Sequence, residues 1–467
     1  MKSTPRQTAL TIWRTGVDAV RAETLVRKHV TLNENELVVC DQPHPLSQGR
    51  RVCVVGAGKA AGYLATELEH TLGPVAEEIG LHGWINVPEN CVENTEFIRQ
   101  HAARPAFINE PRPEGVEGTW RIIELVSNLQ PQDLCVCLLT GGGSALLPAP
   151  RSGTTLEDKQ LVTSILSSHG ANIRQLNRVR TAMSDVKGGG LKRACTADRL
   201  VTLIVSDVIG DPIECIASGP TVDVGYDAQE VTSILRQFDN KGQLPERIWQ
   251  YFAGLEESGA AASSSDVCVT HHILANNQTA VDAAAQEATA QGYRVVRLEP
   301  EPPHCRAEEV ADKLVKCISQ AGAQPTCILW GGEPVVDLAP DADRGKGGRN
   351  QQLVLSALAV WPNLPAELRQ RLCILSGGTD GEDGPTDAAG AFADEEIWQS
   401  SKRMQLDPQP YLHRNDAYSF FATTNGLIKT GPTHTTSARY RPTRTCEGTG
   451  FRRRTSPRGS PASVCPR

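Results

Sequence analysis

Two glycine-rich turns stand out in the sequence, each placed after an apolar run. In VVGAGKAAG (54–62), Gly56 and Gly58 precede Lys59 and a stretch of helical character. Glycines let the backbone approach an anion, and the start of a helix offers N–H groups to it. The segment is not a Walker A loop, and Ala61 stands where G-x-G-x-x-G requires its third glycine. A close-packed turn with a surface lysine is the plainer alternative. In LLTGGGSALLPAP (138–150), Gly141, Gly142 and Gly143 run into Ser144. Consecutive exposed amides suit phosphate or carboxylate oxygens. No G-x-S-x-G elbow is present, which argues against a serine hydrolase.

Three further segments carry polar groups after apolar runs. MSDVKGGGL (183–191) offers Lys187, a cation that could face the anion, and IVSDVIGDPIECIASGPT (204–221) offers Ser206, Asp207 and Asp211. The two aspartates, four residues apart, could hold Mg²⁺ through water; capping of local turns is the alternative. GGEPVVDL and RGKGGRNQQLVLSALA (331–359) bring Glu333, Arg349 and Asn350, with the arginine opening a helix whose dipole adds to its charge. SGGTDGEDGPTDAAG (376–390) holds Asp380, Glu382, Asp383 and Asp387 without the spacing of a calcium loop. Asn276 follows the apolar run that ends in HHILA, and His271 and His272 within it read as core or rim residues. Amide nests, fixed cations and acids for a metal, without a supported Ser or Cys nucleophile, form the inventory of phosphoryl transfer.

The elements that must position these groups are short apolar runs alternating with helical patterns, at 51–72, 133–147, 200–211, 267–292, 326–336 and 372–384. Such alternation argues for an α/β protein with mostly parallel sheets, whose ligand sites gather at the carboxyl ends of strands. The stretch EESGAAASSSD (256–266) reads as a linker, giving domains over 1–255 and 267–435. From 436 to 467 the chain carries eight Arg against one acid, Glu447, and no apolar periodicity, the composition of a disordered tail. A net charge of −7 disfavours nucleic acid as partner, and no apolar run is long enough to span a bilayer. The amphipathic start lacks a secretory pattern, and the 14 dispersed cysteines include no C-x-x-C pair. Both point to a cytoplasmic protein with buried thiols.

GAGKAA (56–61), LLTGGGSALLPAP (138–150), SDVIGDPIECIASGPT (206–221), GGEPVV (331–336), GGRNQ (347–351) and SGGTDGEDGPTDAAG (376–390) together resemble the class II glycerate kinases, often labelled hydroxypyruvate reductases. The resemblance spans about residues 8–435 and implies a Rossmann-like N-terminal domain with a second α/β domain and an active site in the cleft between them. It implies transfer of the ATP γ-phosphate to D-glycerate with Mg²⁺, giving 2-phosphoglycerate. The family's two basic catalytic residues map onto Lys59 and Arg349. Gly56, Gly58, Gly141, Gly142, Gly143, Ser144, Lys187, Ser206, Asp207, Asn276, Glu333, Asn350 and Asp380 are then expected to bind nucleotide or substrate, and Asp207 and Asp211 to hold the metal. A homodimer is compatible with this reading. Two departures stand out. Gln352 replaces the glutamate with which the family's G-G-R-N-Q-E ends, removing one carboxylate near the site. After Thr435 the family's Asn-Val and final apolar strand are absent, so that composition and resemblance break together, as a shift of reading frame would cause. The rival readings are an NAD(P)H-dependent hydroxypyruvate reductase, supported by G-A-G-K-A-A-G alone and lacking a clearly placed ribose acid, and a nucleotide- or anion-binding protein without turnover.

Overall fold

The computed structural model describes residues 3–33, 36–46, 49–106, 108–239, 241–258, 266–299, 305–322, 324–433, 435 and 440–442. They form two compact units, one over 22–276 and one joining 1–21 to 277–467. The first is built on six parallel strands: β1 (Val52–Ala57), β2 (His82–Pro88), β3 (Ile98–Arg104), β4 (Leu134–Thr140), β5 (Arg199–Val205) and β6 (Cys268–Ala275). Their order across the sheet is β3-β2-β1-β4-β5-β6. This is the dinucleotide-fold order, with its switch point between β1 and β4. The apolar runs at 52–57 and 134–140 are buried along their whole length, as strands with helices on both faces must be. Cys53, Cys135, Cys137 and Cys195 sit in that core, and burial pushes the Cys53 thiol up to about 12. The cysteines among the described residues are free thiols.

The second unit holds two three-stranded sheets. One pairs β7 (Arg294–Leu298) in parallel with β8 (Thr326–Gly331); the other is antiparallel, with β9 (Cys373–Gly377), β10 (Gly390–Asp394) and β11 (Leu427–Ile428). The expectation of mostly parallel sheets therefore fails here. The chain through 378–389 forms no helix and turns back, so that β9 and β10 pair antiparallel, as in a hairpin. A short strand, β12 (Tyr440–Pro442), lies antiparallel on β8. The rest of the expected tail lies outside the described residues, as does most of the expected linker. No helix of the described residues is long and apolar enough to cross a membrane.

The domain boundaries differ from those expected at both ends. Helix Pro5–Asp18 joins the second unit, where Trp13 Nε1 donates to Gly377 O at 3.3 Å. Arg6 grips Asp394 there with two hydrogen bonds, at 2.7 and 2.9 Å. The strand after the linker, β6, returns to the first sheet and pairs with β5. A linker composition marks a loop, and a loop need not separate domains.

An antiparallel meander (Val30–Asn33, Glu36–Val39, Gln42–Pro45) follows helix Ala22–His29, which packs on β6. His29, His44 and His272 gather there. Neither ring nitrogen of His44 has a hydrogen-bond partner among the described residues, although the residue is 4% exposed. Burial holds all three below the ordinary imidazole value of 6.5. Lys28 and His272 press further on His29, and Arg199, Arg50 and His272 on His44, while Asp41 opposes at His29. The unfolded chain thus binds protons more readily than the folded one. Stability is complete above the unfolded value and is lost as pH falls below it, through the folded values. We expect the thermal midpoint to fall between pH 7 and pH 5, and His44→Leu to flatten that decline in differential scanning fluorimetry.

Candidate active site at the switch point

The first glycine turn is closed to anions. Gly58 N donates to Asn86 O (3.2 Å), Lys59 N to Gly141 O (2.9 Å), Ala60 N to Thr140 Oγ1 (3.1 Å) and Ala61 N to Gly58 O (3.3 Å). The amides of residues 58–61, the core of the expected nest, are committed to the protein. Gly56 (φ +149°) and Gly58 (φ +146°) serve close approach instead. A methyl on Gly56 would overlap Leu138 O and lie 2.7 Å from Leu138 N, and one on Gly58 would overlap Thr140 Oγ1. The expected nest is a strap that joins the turn after β1 to the turn after β4. Glu89 does follow β2 directly, where a dinucleotide fold carries its ribose acid. The pyrophosphate seat that such a cofactor needs is filled by Thr140 and Gly141.

The second glycine turn opens on a cavity of about 650 Å³. Gly142, Gly143 and Ser144 line it, together with Lys159, Arg180, Lys187 and Asp207. The amides of Gly142, Gly143 and Ser144 make no backbone hydrogen bond among the described residues. Lys187 is buried and its Nζ donates to Ser144 O at 2.8 Å, to Ser144 Oγ at 2.6 Å and to Ser218 Oγ at 3.3 Å. Burial, with Lys159 and Arg180 nearby, holds its amine well below the ordinary lysine value. Lys159 Nζ donates to Met183 O at 2.7 Å, and burial brings it down to about 7. Burial also lowers the Arg180 guanidinium. Cations held together at such cost in desolvation are suited to an anionic ligand. Lys59 lies at the edge of this region, half-buried. A methyl on Gly142 would lie 3.8 Å from its Cγ and 3.6 Å from an Arg104 Nη2.

Other expected residues have local duties. Ser206 Oγ accepts from Val208 N at 3.2 Å and shapes its own turn. Asp207 reaches the cavity. Asp211 does not line it, and its Oδ2 accepts from Asn276 Nδ2 at 2.6 Å.

In the second unit, Arg349 Nη1 donates to Glu333 Oε1 at 2.9 Å and to Pro334 O at 3.2 Å. The helix it opens is no anion seat. The buried Asp383 carboxylate accepts from Asn350 N (3.0 Å), Asn350 Nδ2 (2.8 Å) and Gln351 N (2.8 Å), occupying the helix start. Asn350 Oδ1 accepts from Ser376 Oγ at 2.8 Å, so this side chain ties the helix to β9. Asp380 is buried, and its Oδ1 accepts from Glu382 N at 3.2 Å.

Gln352, the departure from the family pattern, donates from Nε2 to Glu308 Oε1 (2.9 Å) and Leu412 O (3.0 Å). The amide is a donor between two acceptors, and a glutamate would face Glu308 as a like charge. We expect Gln352→Glu to cost about 2–4 kcal/mol at pH 7 by urea unfolding, with part recovered near pH 4.5 as a carboxyl protonates.

Sequence reasoning missed Lys159, Arg180 and Ser218. The first two had a signal. Lys159 sits three residues from Leu156 and from Val162, and Arg180 four from Leu176, so both fall on the apolar faces of their helices. Ser218 had none: its position depends on a left-handed backbone at Ala217 (φ 51°) and Ser218 (φ 64°).

A dinucleotide-order sheet with a cation-lined cavity at its switch point defines an α/β protein that handles small anions. Comparison with known proteins agrees. Residues 8–253 match a domain of unknown function (DUF4147), and residues 326–437 match the MOFRL family. The chain is 32% identical to human glycerate kinase, covering 91% of this chain and 90% of that protein. It is also 32% identical to the D-glycerate 2-kinase of Thermotoga maritima, over 82% of this chain and 88% of that one. A crystal structure of the Thermotoga maritima glycerate kinase superposes with a TM-score of 0.77 at 28% identity, covering 94% of this chain and 99% of that one. The chain belongs to the glycerate kinase family.

Proposed function

We propose that the chain transfers the γ-phosphoryl group of ATP to D-glycerate and yields 2-phosphoglycerate. The observation that carries this reading is the gathering of Lys187, Lys159 and Arg180 on one cavity beside the glycine turn of β4. Phosphoryl transfer needs charge neutralisation and alignment more than covalent chemistry. In this reading Gly142, Gly143 and the three cations receive the phosphate and carboxylate oxygens, and Lys59 neutralises charge on the transferring group. Arg349, steadied by Glu333, is the second catalytic cation.

Among the described residues no cluster of three His, Cys, Asp or Glu side chains could hold a metal ion alone. That suits Mg²⁺ carried in on the nucleotide, which keeps several waters and takes one or two carboxylates. Asp207 would hold it, and the ion would offset phosphate charge. Asp211, engaged by Asn276, is not assigned to it.

ATP and D-glycerate incubated with the protein should give 2-phosphoglycerate by phosphorus NMR, whereas hydroxypyruvate with NADH should give no oxidation. The reverse pair of outcomes would establish the reductase. One pH dependence follows from Lys159, which faces Asp185, Arg151 and Arg180. Its charge is present below pH 7 and lost above it. We expect KM for the anionic substrate it contacts to rise as pH climbs from 6.5 to 8.5, and Lys159→Met to flatten that rise in steady-state kinetics.

A further inference from the structure

Lys187, Ser144 and Ser218 form a hydrogen-bonded triangle on the cavity wall. Ser144 Oγ is 2.6 Å from Lys187 Nζ and 2.9 Å from Ser218 Oγ. Ser218 Oγ donates to Asn177 Oδ1 at 3.3 Å and accepts from Lys187 Nζ at 3.3 Å. When the amine is neutral, the Ser144 hydroxyl lies within reach of it to pass on its proton, at 2.6 Å. The arrangement is costly to hold. Ala217 and Ser218 both take left-handed backbone conformations, which strain non-glycine residues. Two hydrogen bonds fix them against the second triple glycine, from Gly188 N to Ser218 O (3.0 Å) and from Gly189 N to Gly219 O (2.8 Å). A serine hydroxyl aimed at a buried amine has the geometry of an activated nucleophile.

We propose that Ser144 is a phosphoryl acceptor, taking the γ-phosphoryl group of ATP when no glycerate is present. This rests on the reading of ATP as donor. Ser144 Oγ attacks the γ-phosphorus in line with the oxygen that bridges to the β-phosphorus. The new O–P bond forms as the bridging P–O bond breaks, and ADP leaves with the electron pair. The hydroxyl proton passes to Lys187 Nζ. Desolvation and the neighbouring cations favour the neutral amine that can receive it. The product is a phosphoserine dianion beside a lysine ammonium, with Lys159 and Arg180 lining the same space. The newly charged Lys187 then shares that counter-charge with Lys159 and Arg180.

The test uses the full chain with γ-labelled ATP and Mg²⁺, without glycerate, followed by acid quench and peptide mass analysis. We expect label on the Ser144 peptide, none in Ser144→Ala, and a loss of about 10²-fold or more in labelling rate in Lys187→Met. Ser218→Ala, which keeps acceptor and base, should label more slowly and guards against misfolding of the lysine variant. Both are checked by thermal unfolding. Turnover of glycerate with no label on Ser144, or label on another residue, overturns the proposal and leaves the kinase reading standing. Absence of both products overturns the kinase reading and this proposal together.

Discussion

Lys59→Ala should lower kcat by about 10²–10⁴ while leaving the fold intact. The backbone of Lys59 is held by Gly141 O, and its neighbours Gly58 and Ala60 are tied to Asn86 and Thr140. None of these bonds uses the side chain. The stem lies beside Gly142, which lines the cation-lined cavity, and in the proposed mechanism its charge acts on the transferring phosphoryl group. A group that acts on the transition state lowers kcat and kcat/KM together when removed, whereas one that only holds substrate raises KM. Steady-state kinetics on the variant, with urea unfolding as control, separates the two. Lys59→Arg should recover part of the loss, since charge is kept but its placement shifts. Near-normal turnover in the alanine variant would remove Lys59 from the mechanism.

The second large effect is on folding. Gly56→Ala should destabilise the first unit by about 3 kcal/mol or more and reduce soluble yield. Gly56 lies in the central strand, opposite Leu138 on β4 and Ile85 on β2. A methyl there collides with the backbone of Leu138, which cannot swing away as a side-chain tip would. Its φ of +149° adds strain for any other residue. Urea unfolding of the purified variant measures the loss. A midpoint within the error of the parent would show that β1 and β4 can part without cost. Since Gly56 touches no part of the cavity, any protein that does fold should keep its KM.

The first glycine turn shows where sequence and structure diverge. The glycine-lysine turn was legible as a strand-to-helix junction, and the junction is there. Its purpose was not, because a glycine that admits a phosphate and one that admits a neighbouring strand look alike in one dimension. Only the acceptors of the four amides distinguish them. The six-stranded sheet was readable from its apolar runs, because strands buried on both faces must be apolar throughout. The second unit was less so: 372–384 carries the same strand-then-glycine pattern but turns back as a hairpin. Asp383 looked like one of four loop acids, and its burial beneath a helix start depends on contacts 33 residues away in sequence. Ser144 and Lys187 were both visible as candidates. Their pairing was not, since nothing in the sequence brings residues 43 positions apart to 2.6 Å.

The first helix has a consequence for how the molecule is made. Trp13 seats against Gly377, 364 residues further along the chain. On the ribosome that helix emerges long before its berth at Gly377 has been synthesised. The contiguous segment 22–276 has all of its strands much sooner, so it should mature first, while the amphipathic helix ahead of it still lacks its partner. Tags or leaders fused ahead of Pro5 would therefore be felt at the far end of the polypeptide, in the unit that closes last.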